Sequence, residues 1–526
     1  MAALLVARPP VRDSPVPDST VPDFARELAG RRVCVAGLGV SGPPAARVLA
    51  GYGARVTAVD SGDDGDRRDL AARLAACGVR VLLGEAAAAT LPAGTNLVVT
   101  SPGWTPAAPL LVSAAAAGVE VMGDVELAWR LRPSLPAGGR QQWLAVTGTN
   151  GKTTTVRMLA LMLAAAGYRA VAAGNVGTSL ADVVAEPEPY EVVAVELSSF
   201  QLHWSSTIVP FAAVVLNVAA HHLDWHGTLE AYAADKARIF APGTIAIGNA
   251  DDERSALMAA AAGEAARAAG KAAARARGAA AGGRARVAMF RLGEPGPGEV
   301  GVAGGFLVDR AFGQPGRAGG IRLAAVADLC DRDPAATARP PAPHNVADAL
   351  AAAALARAYG APAAAVSAGL RAFRPDPHRI CLVSSVGGVD YVDDSKATNP
   401  HAAAAALAAY DPVVWVAGGQ LKGTAADLDD LAGTAAGRLR GAVVFGADRD
   451  KIAAALLRHA PQVPVVEVAG TDTGAMDIVV KAAAELAEPG DTVLLAPAAQ
   501  SFDMFRDYPA RGEAFAAAVR RLAAAR

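Results

Sequence analysis

A chain of 526 residues with a formal net charge of −2 offers no electrostatic case for nucleic acid or for an anionic membrane. Its length suits about three domains, each burying its own core, and 52% hydrophobic against 19% charged residues is a globular balance, swollen by alanine runs. Cys34, Cys77, Cys330 and Cys381 lack metal or disulfide spacing, as suits a reducing cytosol. The apolar start, Met1–Ala7, has no basic leader, and no charge-free apolar run, Ile208–Ala220 included, approaches the ~18 residues of a membrane span. The expectation is a soluble, cytoplasmic monomer that binds neither nucleic acid nor membrane.

Residues 1–26, with Pro9, Pro10, Pro15, Pro17 and Pro22 among polar residues, read as a flexible tail. Arg32–Ala36 then predicts a strand running into Gly37-Leu38-Gly39-Val40-Ser41-Gly42, and Pro43 and Pro44 suit the first turn of a helix. A second strand, Arg55–Val59, ends at Asp60. Strand, glycine turn, helix, strand and acid make a dinucleotide fingerprint, which would hold NAD or any ligand with a pyrophosphate and a ribose, a UDP-sugar included. A third strand, Asn96–Thr100, delivers Ser101-Pro102-Gly103 to a carboxyl edge, where open α/β sheets bind ligands. The Pro/Gly-rich stretch Arg132–Gly139 reads as a linker, closing a first domain over 27–139.

The next strand, Trp143–Val146, runs into Thr147-Gly148-Thr149-Asn150-Gly151-Lys152-Thr153-Thr154, and Val156, Leu159 and Leu163 continue at helical spacing to Gly167. Such a turn aims backbone N–H groups and a helix N-terminus at an anion; Lys152 adds charge for terminal phosphates, and the Thr153 hydroxyl can hold Mg²⁺. Val146 stands where the common phosphate-loop pattern has its first glycine, so this is a shortened form. Farther along, Gly174-Asn175-Val176-Gly177 follows a strand at Ala170–Ala173, and a strand over Glu191–Val195 ends in Glu196-Leu197-Ser198-Ser199-Phe200-Gln201. An acid at such a strand end is well placed for Mg²⁺, although most glutamates are surface carboxylates. Phe211–Val218 leads to His221-His222-Leu223-Asp224-Trp225-His226-Gly227, a histidine cluster without zinc-site spacing. Lys236 follows in a helix over Leu229–Phe240 and, taken alone, reads as a solvated lysine. The Ala/Gly/Arg-rich run from 259 and the Gly/Pro-rich piece to 320 read as an insertion of solvated helix or loop. His344-Asn345 opens a helix to Tyr359, and Phe373–Pro377 closes a second domain over 140–375. Over 376–526 strands at 389–393, 412–417, 442–445, 464–468 and 491–495 alternate with helices. Polar turns follow three of them: Asp394–Asn399, Gly418–Gly423 and Ala496–Met504.

The order of these motifs, GLGVSG, TGTNGKTT, GNVG, ELSSFQL, HHLDWHG with a later lysine, HN, HR, DDSKATN, GGQLKG and SFDMF, resembles the Mur ligases from about residue 31 to the C-terminus, outside the insertion. ELSSFQL, DSKATN and SFDMF resemble the D-glutamate-adding branch. The resemblance implies an α/β protein of three domains: Rossmann-like for a UDP-substrate, a phosphate-loop domain for ATP, and a second Rossmann-like domain for an amino acid. It implies that ATP phosphorylates the L-alanine carboxylate of UDP-N-acetylmuramoyl-L-alanine, and that the D-glutamate amine displaces phosphate. Gly148, Thr149, Asn150, Gly151, Lys152, Thr153, Thr154, Asn345, Asp348, Arg379, Asp394 and Lys396 would then serve ATP. Lys152, Glu196, His222 and Lys236 would be catalytic. Thr153, Glu196, His222 and Lys236, the last as a carbamate, would hold two Mg²⁺. Val40, Ser41, Asp60, Ser61, Ser101, Gly103 and Asn175 would hold the UDP-sugar, and Thr398, Lys422, Ser501 and Tyr508 the D-glutamate. The chain departs from the family at His221, where Asp is usual, at Asp348, where relatives carry a second Asn against adenine, and at Ala499-Gln500 before Ser501. Rival readings are a Mur ligase or folylpolyglutamate synthase adding another amino acid, an NAD(P) oxidoreductase built on Gly37–Gly42, and a descendant that binds nucleotide without turnover.

Overall fold

Short runs of valine, leucine and alanine, mostly buried on both faces, alternate with helices and assemble into three sheets, as parallel strands covered by helices require. The structure, a computed structural model, describes residues 23–175, 177–277, 287–313, 320–329, 341–374, 377–421, 425–470 and 474–525, with side chains of the helix Glu253–Arg277 described to 269. These form two compact units, one holding the first two sheets and the other the third, with residues 219–221 grouped with the latter. Of the expected tail, residues 1–22 lie outside the described residues, and Asp23–Glu27 is helical.

The first sheet runs β3-β2-β1-β4-β5, all parallel, from β1 (Arg32–Ala36), β2 (Arg55–Asp60), β3 (Arg80–Leu83), β4 (Leu97–Thr100) and β5 (Glu120–Gly123). Strand order reverses between β1 and β4, which puts the Gly37–Gly42 turn and Ser101-Pro102-Gly103 side by side at a switch point. Glu126, on the helix Asp124–Arg130, is wholly buried and accepts from the N–H of Ser206 (2.9 Å) and Thr207 (3.0 Å), which ties this sheet to the next.

The second sheet has nine strands in the order β14-β13-β12-β11-β10-β9-β6-β8-β7. They are β6 (Gln142–Thr147), β7 (Ala170–Gly174), β8 (Val192–Glu196), β9 (Ala212–Val215), β10 (Ile245–Asn249), β11 (Val287–Phe290), β12 (Glu299–Ala303), β13 (Phe306–Asp309) and β14 (Ile321–Ala325). Residues 287–309 of the expected insertion belong to this sheet instead. Residues 253–277 are one helix, and β11, β12 and β13 extend the sheet, with Phe290, Val300 and Leu307 in its core. Averaged composition hid them, because each strand contributes only three or four apolar residues to a stretch rich in glycine, proline and arginine. Leu307→Ala should therefore lower unfolding free energy in a urea titration by about 2–5 kcal/mol, the range for truncating a buried leucine; an unchanged midpoint would restore the insertion reading. The helix Pro343–Tyr359 crosses this core with Ala349, Ala351, Ala352, Ala353, Ala354 and Ala356 all fully buried. A helix apolar on every side belongs inside a domain.

The third sheet runs β15-β16-β20-β17-β18-β19, from β15 (Cys381–Val386), β16 (Val389–Asp393), β17 (Val413–Gly418), β18 (Leu439–Phe445), β19 (Val465–Glu467) and β20 (Thr492–Leu495). Only β15 is antiparallel. Because β16, β20 and β17 are neighbours, their carboxyl ends bring the three polar turns together.

Candidate active site

The phosphate loop leaves the buried strand β6 at Thr147 and enters the helix Lys152–Ala165 through Gly151. Gly151 has φ 84°, which favours glycine, and a Cβ there would stand 2.2 Å from Asp348 Oδ1, so a side chain would also displace Asp348 from the loop. The loop is pinned from outside by Asn217, whose backbone carbonyl accepts from Thr149 N–H (2.9 Å) and whose side chain accepts from Asn150 N–H (2.9 Å). Lys152 Nζ donates to the carbonyls of Gly148 and Thr149 at 3.0 Å each. Thr153 and Thr154 are buried in the first helical turn. Asp348 is buried against the loop, three residues along its helix from Asn345.

Three elements converge beside this loop. Glu196 ends β8 with 1% of its surface exposed; Oε1 accepts from Asn175 Nδ2 at 3.0 Å, and Oε2 is buried without a hydrogen-bond partner among the described residues. Asn175, expected at the UDP-sugar, thus stands on the Glu196 carboxylate. His222 caps the four-residue helix Leu223–His226 in the left-handed region, φ 55°. Burial lowers its pKa to about 4, with the charges of Lys152 and Lys236 adding to the effect, so its ring is neutral at pH 7. Lys236 is 1% exposed, not solvated as its composition alone suggested. Its Nζ donates to Gly148 O (2.9 Å) and lies 4.4 Å from the Tyr232 ring centre, while Tyr232 Oη meets Thr149 Oγ1 at 3.1 Å. Burial, then the Lys152 charge, push the Lys236 pKa well below its ordinary value. A buried amine beside a second lysine sheds its proton readily.

At the first sheet, Gly42 has no room for a side chain, since a Cβ would sit 1.8 Å from Gly37 O. Asp60 accepts from Leu38 N–H (2.6 Å), Gly62 N–H (2.8 Å) and Arg67 Nε (3.1 Å), so its carboxylate also shapes the glycine turn. Ser101 Oγ donates to Gly37 O at 3.2 Å. Val40, Ser61 and Gly103 are exposed around this rim, and Ser41 is half-buried.

At the third sheet, one side chain organises the polar turns. Arg511 is fully buried in the helix Tyr508–Ala525. Its guanidinium donates to Ser395 Oγ (3.0 Å), Ser395 O (2.9 Å), Gly418 O (3.1 Å) and Ala499 O (3.0 Å), one turn after another. Gln420 and Gln500 add a backbone pair, 2.9 Å in each direction. Lys396 Nζ donates to Tyr508 Oη at 3.1 Å, joining two residues expected at different ligands. Ser501 is buried at the start of its turn, Thr398 is half-buried, and Lys422 lies outside the described residues. Burial raises the Asp394 pKa to about 8, against the pull of Arg379. His221 lines a cavity of about 250 Å³ with Asn399, His401, Asp427 and Asp430.

Three family descriptions match successive parts of the chain: Mur ligase MurD-like, N-terminal domain over residues 31–123; Mur ligase middle domain over 146–285; and Mur ligase, glutamate ligase domain over 378–499. A UDP-N-acetylmuramoylalanine–D-glutamate ligase of Thermobifida fusca is 58% identical over 499 residues, covering 94% of this chain and 100% of the relative. The chain belongs to the Mur ligase family. The Mycolicibacterium smegmatis protein of the same name is 46% identical over 528 residues, covering 95% of this Mur ligase and 98% of its own length. The crystal structure of UDP-N-acetylmuramate-alanine ligase from Thermotoga maritima shares the fold at 17% identity, with TM-score 0.52 over 94% of this chain and all of that one.

The residues of this Mur ligase fit a magnesium ion. Glu196 offers an unpartnered buried oxygen, and Thr153 a hydroxyl at the helix start. Mg²⁺ is ordinarily held by one or two carboxylates plus substrate phosphates. Sequence reasoning passed over Asn217, Arg511 and Tyr232. Asn217 at a strand end beside the loop carried a signal; an arginine in a C-terminal helix carried none.

Proposed function

We infer that this Mur ligase joins D-glutamate to the L-alanine carboxylate of UDP-N-acetylmuramoyl-L-alanine with ATP, in peptidoglycan precursor synthesis. The observation that carries this is the end-to-end match to a ligase of that name at 58% identity. The geometry supports it: Lys152 brings a cation to the phosphate loop and the buried Glu196 carboxylate offers a place for a second, as a reaction bringing two anions together needs. The proposed division is 27–139 for the UDP-substrate, 140–375 for ATP and 376–526 for the amino acid.

Lys152 would neutralise the terminal phosphates as a carboxylate oxygen attacks the γ-phosphorus and ADP leaves. The D-glutamate amine would then attack the acyl phosphate, losing a proton as inorganic phosphate departs. Mg²⁺, when bound, supplies charge neutralisation between phosphate and carboxylate, and Thr153, Glu196, His222 and a carbamylated Lys236 would hold two such ions. The neutral Lys236 amine favoured by burial is the form that adds CO₂. Arg379, Asp394 and Lys396 are assigned to the nucleotide, and Thr398, Lys422, Ser501 and Tyr508 to D-glutamate. We propose a cytoplasmic site of action, where ATP is supplied; no helix among the described residues is long and apolar enough to cross a membrane.

Phosphate release with UDP-N-acetylmuramoyl-L-alanine tests the reading. Turnover is expected with D-glutamate and not with L-glutamate, L-lysine or diaminopimelate; preference for any of those three overturns it.

A further inference from the structure

Three residues that the mechanism does not use stand beside three that it does. Ser199 opens a helix three positions after Glu196, His226 closes the short helix that His222 caps, and Asp235 immediately precedes Lys236. They sit on separate helices, Ser199–His203, Leu223–His226 and Leu229–Ala237, yet they are bonded in line. Ser199 Oγ meets His226 Nε2 at 2.9 Å, and His226 Nδ1 meets Asp235 Oδ2 at 3.1 Å. A carboxylate only accepts, so Nδ1 carries the hydrogen and Nε2 accepts the Ser199 proton. The same carboxylate takes His203 Nδ1 at 3.0 Å and lies 3.8 Å from Arg238. Phe200 stacks on the His226 ring at 5.3 Å and 7°, and Trp225 and Tyr232 close in at 4.5 and 5.2 Å.

Serine, histidine and aspartate in this order suggest a nucleophile relay, and burial rules that out. Ser199 is 2% exposed and the His226 side chain 1%, so no substrate reaches the hydroxyl. What the line joins is two weak supports to a longer helix of nine residues. Helices of four and five residues cannot fix their own direction. His222 moreover holds a left-handed backbone that its surroundings must enforce.

We propose that His226 is a positioning residue that, with Ser199 and Asp235, sets the spacing of Glu196, His222 and Lys236. This rests on the metal-site reading above. His226 touches none of the reacting atoms. It braces the three elements that carry the ligands, as outer partners of metal ligands do.

The test compares His226→Leu, His226→Gln and Ser199→Ala with the unaltered full chain. Readouts are Mn²⁺ binding by electron paramagnetic resonance with a non-hydrolysable ATP analogue, melting temperature, and steady-state constants. His226→Leu is expected to weaken Mn²⁺ and lower kcat by about 10–100-fold, the usual effect of losing an outer partner. KM for D-glutamate should stay within about twofold, because that site is assigned to other elements. His226→Gln can both donate and accept, so it should recover most of both losses. Ser199→Ala, which removes only one bond, keeps the test open if His226→Leu does not fold, and should weaken Mn²⁺ measurably at an unchanged melting temperature. Unchanged Mn²⁺ binding in a folded His226→Leu or, where that variant does not fold, in Ser199→Ala overturns the proposal, as does a loss in Gln equal to that in Leu. Failure of the unaltered chain to use D-glutamate would count against the proposed function instead, since Mn²⁺ binding is read without turnover.

Discussion

Lys236→Ala is expected to lose ligase turnover by about a hundredfold or more, the effect of removing one preorganised charge-stabilising group. Part of that loss should return with acetate. The side chain is 1% exposed, so its removal leaves a small cavity beside Gly148 O and Tyr232. An ammonium here would repel both Lys152 and a metal, whereas a carbamate supplies oxygen. Acetate can bring that anion into the cavity; methylammonium cannot. Phosphate release measured with each additive decides the matter. Rescue by methylammonium alone would make Lys236 a plain cation, and a fully active variant would remove it from the site.

The second large effect is expected at Arg511. Arg511→Met fills similar space but leaves the carbonyls of Ser395, Gly418 and Ala499 without their donor. Each buried acceptor left unmatched costs about 1–3 kcal/mol, so a loss of about 3–5 kcal/mol should appear in the unfolding of the third-sheet unit. In variants that stay folded at low temperature, KM for D-glutamate should rise about tenfold or more, because the three turns lose their common anchor. KM for the UDP-substrate should not move. An unchanged D-glutamate KM would show that the turns hold themselves.

What the sequence made legible was chiefly local. Gly37–Gly42 and Gly148–Gly151 announced themselves because backbone approaching so closely excludes side chains, as the contacts at Gly42 and Gly151 show. The α/β alternation was readable from buried runs such as Val192–Glu196. What escaped was set by partners far along the chain. Lys236 reads as a surface lysine until Gly148, 88 positions away, is seen to accept from it. Arg511 is separated by 116 positions from Ser395. Asp60 was read for a ligand ribose, and the structure adds a second use, holding Leu38 N–H. β3 and β5 were missed for a different reason: four residues each, none fully buried in β3 and only two in β5, give too short a pattern to detect.

The alanine helix at Pro343–Tyr359 makes this core lopsided toward change. Its buried methyl groups leave little to trim, so shrinking an alanine there to glycine costs only about 1 kcal/mol of helix propensity and one methyl of packing. Enlarging one forces a side chain into space already taken, at about 1–3 kcal/mol for each overpacked site. Nearby, a Cβ on Gly369 would stand 2.6 Å from the Met162 backbone of the phosphate-loop helix, so the restriction continues into the next helix. Random substitution should therefore be purged here by bulk rather than by polarity. A saturation library scored for folding would show valine and leucine as poorly tolerated as serine, an inversion of the usual ranking for an interior.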